Sequence, residues 1–446
     1  MIAWLKKLIN IHIGYTTRWM GVTDKRFFSS FLTSMMTHKT TIMGKLGMNP
    51  AKNGEKNTEQ ARHFFCKESF SDFTLRIEKR CFGLVGEIKD TECICLDEVD
   101  VAKPCAKKME WLSHVRDGST WAIVNGYMFH GASIRWIPVI LEHEDLGVYS
   151  KNQVWKGMIE RIIHHVGRTL TGRVKGIFLF DAGYDIASYI DFLMEKQCSF
   201  VIRAKRDRIW MRYTSEEKWV LIREEEGEQE GEQEQEECRL DDFSVGVHPV
   251  TLPWRKYTLF MHVKQYAGYG SPIRVVSTMA ILPEDLLHAW TQDKPGKEEL
   301  GKVEDIPDLY FQRWEIERVF KTMKQEYQME KIRVRDLVVL KNTFAVMQLA
   351  MALSNACFNS ETKQNTVKGK RFFRVQDQFI KKFEKYSRRL GLTMNRNSIV
   401  NFIAYSLEIF YRRPPGDRRK NINRNPHDSA QMRLFTVSGL QKSGWV

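Results

Sequence analysis

With 446 residues, the chain is long enough for about two to four structural units, and its length argues against a single compact domain. A net charge of +14 and a pI near 9.3 point to a polyanionic partner, nucleic acid first, because each phosphate neutralised by Lys or Arg releases a condensed counterion; a merely soluble basic protein is the plain alternative. The eight Cys form no CxxC pair and no zinc-type spacing with His, which argues against a disulfide framework or structural zinc module and fits a reducing cytoplasm.

Met1 to Ile13 is apolar but interrupted by Lys6, Lys7, Asn10 and His12, with no small-residue cleavage site after it, and reads as no signal peptide. Residues 1–88 are basic, aromatic and helix-like, as in a helical DNA-binding region or a helical packing domain. From about residue 90 strands take over. Cys93-Ile94-Cys95-Leu96 runs into Asp97, and Thr120–Phe129 and Ser133–Leu141 read as two strands joined at His130-Gly131. Val154, Trp155, Met158, Ile159, Ile162, Ile163 and Val166 recur at helical spacing. A strand from Val174 to Phe180 follows and ends in Asp181, then a helix through Ile186 to Leu193 and a strand over Ser199–Arg203.

Residues 206–305 read as an inserted, mostly β subdomain, with strand-like runs at Trp219–Ile222, Tyr257–Val263 and Ile273–Leu282. The low-complexity tract Glu224–Glu237, with nine Glu and no basic residue, reads as a solvated loop, so the rest of the chain is more basic than the total charge indicates. Ile306 to about Glu330 and Leu337 to Cys357 are helix candidates. The apolar stretch Phe344–Phe358 holds Gln348, Ser354 and Asn355, is shorter than the ~20 residues of a membrane span, and reads as a buried helix. The end, 366–446, is basic again, with Tyr411-Arg412-Arg413 and Arg418-Arg419-Lys420, as a phosphate-contacting or simply solvated tail would be.

Two acids end apolar strands, Asp97 and Asp181, where they could converge in a cleft; a strand-end Asp is otherwise a cap or turn residue. On the helix from Ile306, at about 100° per residue, Tyr310, Arg313, Glu317 and Lys324 share an arc of roughly 60° beside the apolar arc of Ile316, Val319, Phe320 and Met323. As a plain surface feature, Arg313 and Glu317 would be an i, i+4 pair. Carboxylates on strand ends and a helix face are the rigid supports that two-metal phosphoryl transfer requires.

These motifs resemble a known family. Tyr310-x2-Arg313-x3-Glu317-x6-Lys324 resembles the Tyr-Arg-Glu-Lys signature of one group of insertion-sequence DDE transposases. Leu96 to Pro104 looks like that group's first-Asp region and Asp181-Ala182-Gly183-Tyr184 like its second. The resemblance spans about 90–350 and implies an α/β fold: a ribonuclease-H-like catalytic core, with a mixed five-stranded sheet, formed by 89–205 and 306–365 around the β-rich insertion 206–305. Helical N-terminal and basic helical C-terminal regions flank it. It implies Asp97, Asp181 and Glu317 as ligands of two Mg²⁺ ions, with Mn²⁺ able to substitute, and Tyr310, Arg313 and Lys324 as DNA contacts. The family often carries a Thr near the first Asp; here Glu98-Val99-Asp100 follows Asp97, and Asp100 stands as the alternative first carboxylate. Trp290, with Trp254 behind it, is the candidate for stacking on a flipped base, against the ordinary reading of a packed Trp.

The implied function is cut-and-paste transposition. Double-stranded inverted-repeat ends are cleaved, a hairpin forms, and the end is joined to target DNA by a homodimer without membrane association, in a cytoplasmic, nucleoid-associated setting. The alternatives are a transposase derivative that binds DNA without cutting it, and a nuclease with the same core that never joins ends.

Overall fold

The computed structural model describes residues 13–14, 16–46, 54–67, 72–104, 109, 112–116, 122–144, 151–213, 235–266, 269–281 and 305–356. Trp290, the strand-like run Trp219–Ile222 and the basic region 366–446 lie outside these residues.

Strands β1 (Cys93–Ala102), β2 (Ser113–Arg116), β3 (Ile123–Ile134) and β4 (Ile137–His143) form an antiparallel group in which β3 pairs with β1 on one edge and with β2 and β4 on the other. Strands β5 (Ile177–Phe180) and β6 (Ser199–Arg203) extend it in parallel beside β1, giving the order β4-β3-β1-β5-β6. Between them come the crossover helices α4 (Lys151–Val166) and α5 (Ala187–Glu195). Val154, Trp155, Met158, Ile159 and Ile162 are buried along α4, as their helical spacing requires. The result is a mixed α/β fold on one large sheet.

The hairpin between β3 and β4 turns elsewhere than the sequence suggests. The chain passes straight through His130 and Gly131 and reverses at Arg135-Trp136, which take φ of 51° and 66°. A two-residue turn with both φ positive is normally announced by Asn-Gly or Asp-Gly, and Arg-Trp gives no such signal. Gly131 is instead a strand glycine with a packing reason. A Cβ there would lie 2.6 Å from Cζ of Phe320, so the missing side chain lets the Glu317-bearing helix settle on the backbone of β3.

The described strands between residues 206 and 281 continue this sheet. Strands β7 (Trp210–Tyr213), β8 (Gln235–Cys238), β9 (Gly246–Thr251), β10 (Leu259–Lys264) and β11 (Ile273–Ser277) add the order β11-β10-β9-β7-β8, with β11 antiparallel to β6. The expected insertion is thus β-rich, but it is joined to the core through the backbone ladder. The last three residues of the Glu/Gln/Gly tract are not loop: Gln235, Glu236 and Glu237 pair with β7.

The predicted helix from Ile306 to Glu330 is divided. Helix α6 (Ile306–Tyr310) begins at Asp305, whose carboxylate accepts the N–H of Asp308 at 3.0 Å, and has Pro307 in its first turn. A 3-10 turn over Phe311–Arg313 leads into α7 (Trp314–Gln325), and Gln328, at φ 57°, ends the run. Helix α8 (Leu337–Ala356) is long and apolar enough to cross a membrane, the one such helix among the described residues, yet 89% of its apolar window is buried inside the fold. Around it pack β4 and helices α1 (Val22–His38), α2 (Gly54–Phe65) and α3 (Phe73–Val85). Phe27 meets Phe64 at 4.5 Å and Phe31 meets Phe65 at 5.4 Å within this N-terminal layer, and Asn342 of α8 donates to the Phe65 carbonyl at 3.0 Å. The N-terminal helices therefore share a core with the sheet.

Candidate active site

β1 and β5 run parallel with Cys95 beside Leu179. The ladder ends there, and just beyond the last residue of β5 Asp181 lies close enough for its charge to raise the Asp97 carboxyl. Asp181 sits where β5 ends, and its carboxylate accepts the N–H of Gly183 at 2.6 Å, capping the 3-10 turn Ala182–Tyr184. Asp97 lies within β1 and accepts its neighbour Glu98's N–H at 2.8 Å.

Strand alternation puts Asp97 and Asp100 on opposite faces of β1. The Cys95 thiol donates to the Gln312 carbonyl and Asp97 meets Arg313, so these residues face the α6–α7 segment. Glu98 faces the other way and accepts from the Tyr184 hydroxyl at 3.2 Å. With a period of two, Asp100 falls on the Glu98 face, away from Glu317.

One guanidinium gathers most of the helical motif. Arg313, 6% exposed, donates from Nη1 to Asp97 Oδ2 at 2.7 Å, from Nη2 to Glu317 Oε1 at 2.5 Å, and from Nε to the Tyr310 hydroxyl at 3.2 Å. The planar fork of Arg suits this three-way contact in a way that a Lys ammonium would not. Lys324 is not part of it: a further two helical turns along, it faces Glu330 at 3.6 Å. Helix α7 is held in place from below, since Glu315 Oε1 accepts both the Ser133 hydroxyl at 3.0 Å and the Trp136 N–H at 2.6 Å.

Burial, more than any other cause, pushes the Asp97 carboxyl up to about 6 from its ordinary 3.8. Arg313 and the Glu98 N–H pull it down, while Asp181 and Glu317 add like-charge repulsion. Arg313 shows the opposite balance. Burial works against its charge, but Tyr310, Asp97 and Glu317 together outweigh burial and hold its proton more tightly than usual. The two directions are compatible because Arg313 is served by three groups, whereas Asp97 shares one cation with Glu317.

The donor set, carboxylate oxygens on two strands and a helix, suits a hard divalent ion such as Mg²⁺ or Mn²⁺. Among the described residues, no three His, Cys, Asp or Glu side chains stand close enough to hold an ion as they are; Asp97 and Glu317 close on Arg313. Trp254, the second stacking candidate, is 96% exposed in the turn after β9 at φ 64°. Its neighbour Arg255 is fixed to Asp191 by two hydrogen bonds of 2.7 Å. Sequence reasoning missed the Glu98–Tyr184 tie and the Glu315 anchor, because both are contacts between residues far apart in the chain.

No curated protein matches this chain. Among solved structures it is similar to one described as a cryo-EM structure of piggyBac transposase synaptic complex with hairpin DNA, at 9% identity and a TM-score of 0.39, covering 96% of this chain and 83% of that one; so loose a likeness does not define the fold. The family model described as "Transposase DDE domain" matches residues 148–353, just under half of the chain, a stretch that contains Asp181, Tyr310, Arg313 and Glu317 and begins after Asp97. That match supports a DDE transposase.

Proposed function

We propose that the protein is a DNA transposase that cleaves the inverted-repeat ends of its element and joins them to target DNA, with Asp97, Asp181 and Glu317 as the catalytic carboxylates. The observation that carries the proposal is the meeting of Asp97 and Glu317 on Arg313, with Asp181, inside the matched family region, near enough to act on the Asp97 charge. A ribonuclease-H-like core is supported by the sheet order β4-β3-β1-β5-β6, three antiparallel strands followed by two parallel ones.

Asp97, Asp181 and Glu317 would hold two Mg²⁺ ions, which when bound activate a water and stabilise the charge on the phosphate under attack. Arg313 is the residue that can change partners: its charge is permanent, and the two Nη groups that now donate one bond each to Asp97 and Glu317 could together grip a DNA phosphate. Tyr310 orients that guanidinium from Nε, and the burial of both excludes water from one side of the site. Lys324, further along α7, lies where a strand following the helix would bring another phosphate. Trp254 and Trp290 are the candidates for stacking on an extruded base. The net charge of +14 suits double-stranded DNA, and the hairpin, the homodimer that bridges two ends and a cytoplasmic, nucleoid-associated site of action follow from the same reading.

The test is incubation with DNA carrying the inverted repeats that flank the gene. In Mg²⁺ the expected products are cut ends, a hairpin species and ends joined to a target, and all should disappear with a chelator. Cutting without joining would indicate a nuclease. Binding without cutting would indicate a DNA-binding derivative.

A further inference from the structure

The face of β1 opposite Arg313 carries a second set of contacts. Tyr184 is 4% exposed, and its hydroxyl donates to Glu98 Oε1 at 3.2 Å. Its backbone N–H donates to the Asp181 carbonyl at 3.1 Å, closing the 3-10 turn that Asp181 caps. One residue thus grips the turn bearing Asp181 through its backbone and, through its side chain, the residue next to Asp97.

The phenol ring has little freedom to move. Trp155 of α4 meets it edge-on at 4.4 Å and Phe180 packs at 5.3 Å. Trp155 in turn contacts His130 at 4.6 Å, and buried His130 is hydrogen-bonded to Glu144 at 2.6 Å, directly across the ladder from Glu98. Asp181, by contrast, lies just beyond the last residue of β5, and a short turn follows it. The Tyr184–Glu98 hydrogen bond bridges β1 to that turn past the end of the ladder.

We infer that Tyr184 is a positioning residue, which through its hydrogen bond to Glu98 fixes the separation of the Asp97 and Asp181 carboxylates. The inference rests on the assignment of those two acids to catalysis. Tyr184, 4% exposed, acts from inside the fold by holding the two backbones at one spacing, and outer contacts of this kind commonly govern how well carboxylates share an ion.

Tyr184→Phe keeps the ring packing and removes only the hydroxyl. In the full-length protein with end DNA, cleavage at saturating DNA is expected to fall about 10- to 100-fold, and the Mg²⁺ affinity of the protein–DNA complex, measured by calorimetry, to weaken by a similar factor. KM for DNA and the melting temperature should stay unchanged. Glu98→Gln keeps an acceptor oxygen and should retain most activity, whereas Glu98→Ala should match Tyr184→Phe. The double variant Tyr184→Phe/Glu98→Ala should be no worse than either single one, as expected for one shared contact.

Tyr184→Phe cleaving within about twofold of the parent, with Mg²⁺ affinity unchanged, would overturn the inference. Rate losses that track a lowered melting temperature in both Tyr184→Phe and Glu98→Ala would overturn it as well, since the contact would then be structural only. Full activity in Asp97→Asn is a separate result that would instead remove the catalytic assignment beneath it.

Discussion

Asp97→Asn is expected to lose at least about 10³-fold in cleavage rate while making the DNA-free protein more stable at pH 7. The catalytic loss follows from the proposed mechanism, in which one charged oxygen donor is removed from an ion that would contribute several kcal/mol, at about 1.36 kcal/mol per factor of ten. The stability gain follows from the Asp97 carboxyl standing at about 6, above its ordinary 3.8. Between those two values the folded state keeps a proton that the unfolded chain gives up, so stability falls as pH rises from about 4 to about 6, and the cost is complete above that window. A shift of this size, already net of the Arg313 attraction, corresponds to about 3 kcal/mol at most, and the poorer fit of an amide beside that guanidinium leaves an expected net gain of about 1 kcal/mol. Denaturant melts of parent and variant from pH 4 to pH 8 check this: the parent should lose more stability across that range than the variant, which keeps only the contributions of other shifted groups such as Asp185. A variant less stable than its parent at pH 7 would contradict the account.

Arg313→Met is expected to damage the site in two ways. Cleavage should drop about 100-fold, because the proposed phosphate contact and the orientation of the carboxylates would be lost together. Stability at pH 7 should fall by about 2–4 kcal/mol, since Asp97, 17% exposed, would face Asp181 and Glu317 without its counter-cation; the half-exposed side chain of Glu317 keeps the loss below that of a fully buried pair. Adding Asp97→Asn to Arg313→Met should recover most of that stability without restoring cleavage. Chemical denaturation of the single and double variants checks the point, and a double variant no more stable than Arg313→Met would refute it.

How far the chain could be read from its residues varied with the kind of signal. Helix α4 was plain from the helical spacing of its apolar residues, and strand β6 from a short unbroken apolar run, Phe200-Val201-Ile202, buried on both faces. The grouping of Tyr310, Arg313 and Glu317 could be read from helical arithmetic and survives the 3-10 turn between α6 and α7, since one guanidinium bonds to both of the others. The Arg135-Trp136 reversal was hidden, because its left-handed backbone is sustained by contacts from α7 and α8: Glu315 takes the Trp136 N–H, and Asn355 donates to the Trp136 carbonyl at 2.7 Å. Gly131 misled for the same reason, as its cause is Phe320, far along the chain. The union of β11 with β6 was equally invisible, since strand alternation identifies a strand and not its neighbour.

The most direct test of the central claim is to locate the divalent ion itself. With Fe²⁺ replacing Mg²⁺ on the DNA-bound protein, ascorbate and peroxide generate hydroxyl radicals that cut the polypeptide next to the ion. The account predicts cuts close to residues 97, 181 and 317, suppressed by added Mg²⁺ and weakened in Glu317→Gln. Cuts clustered elsewhere, or the same pattern at full strength in Glu317→Gln, would contradict it.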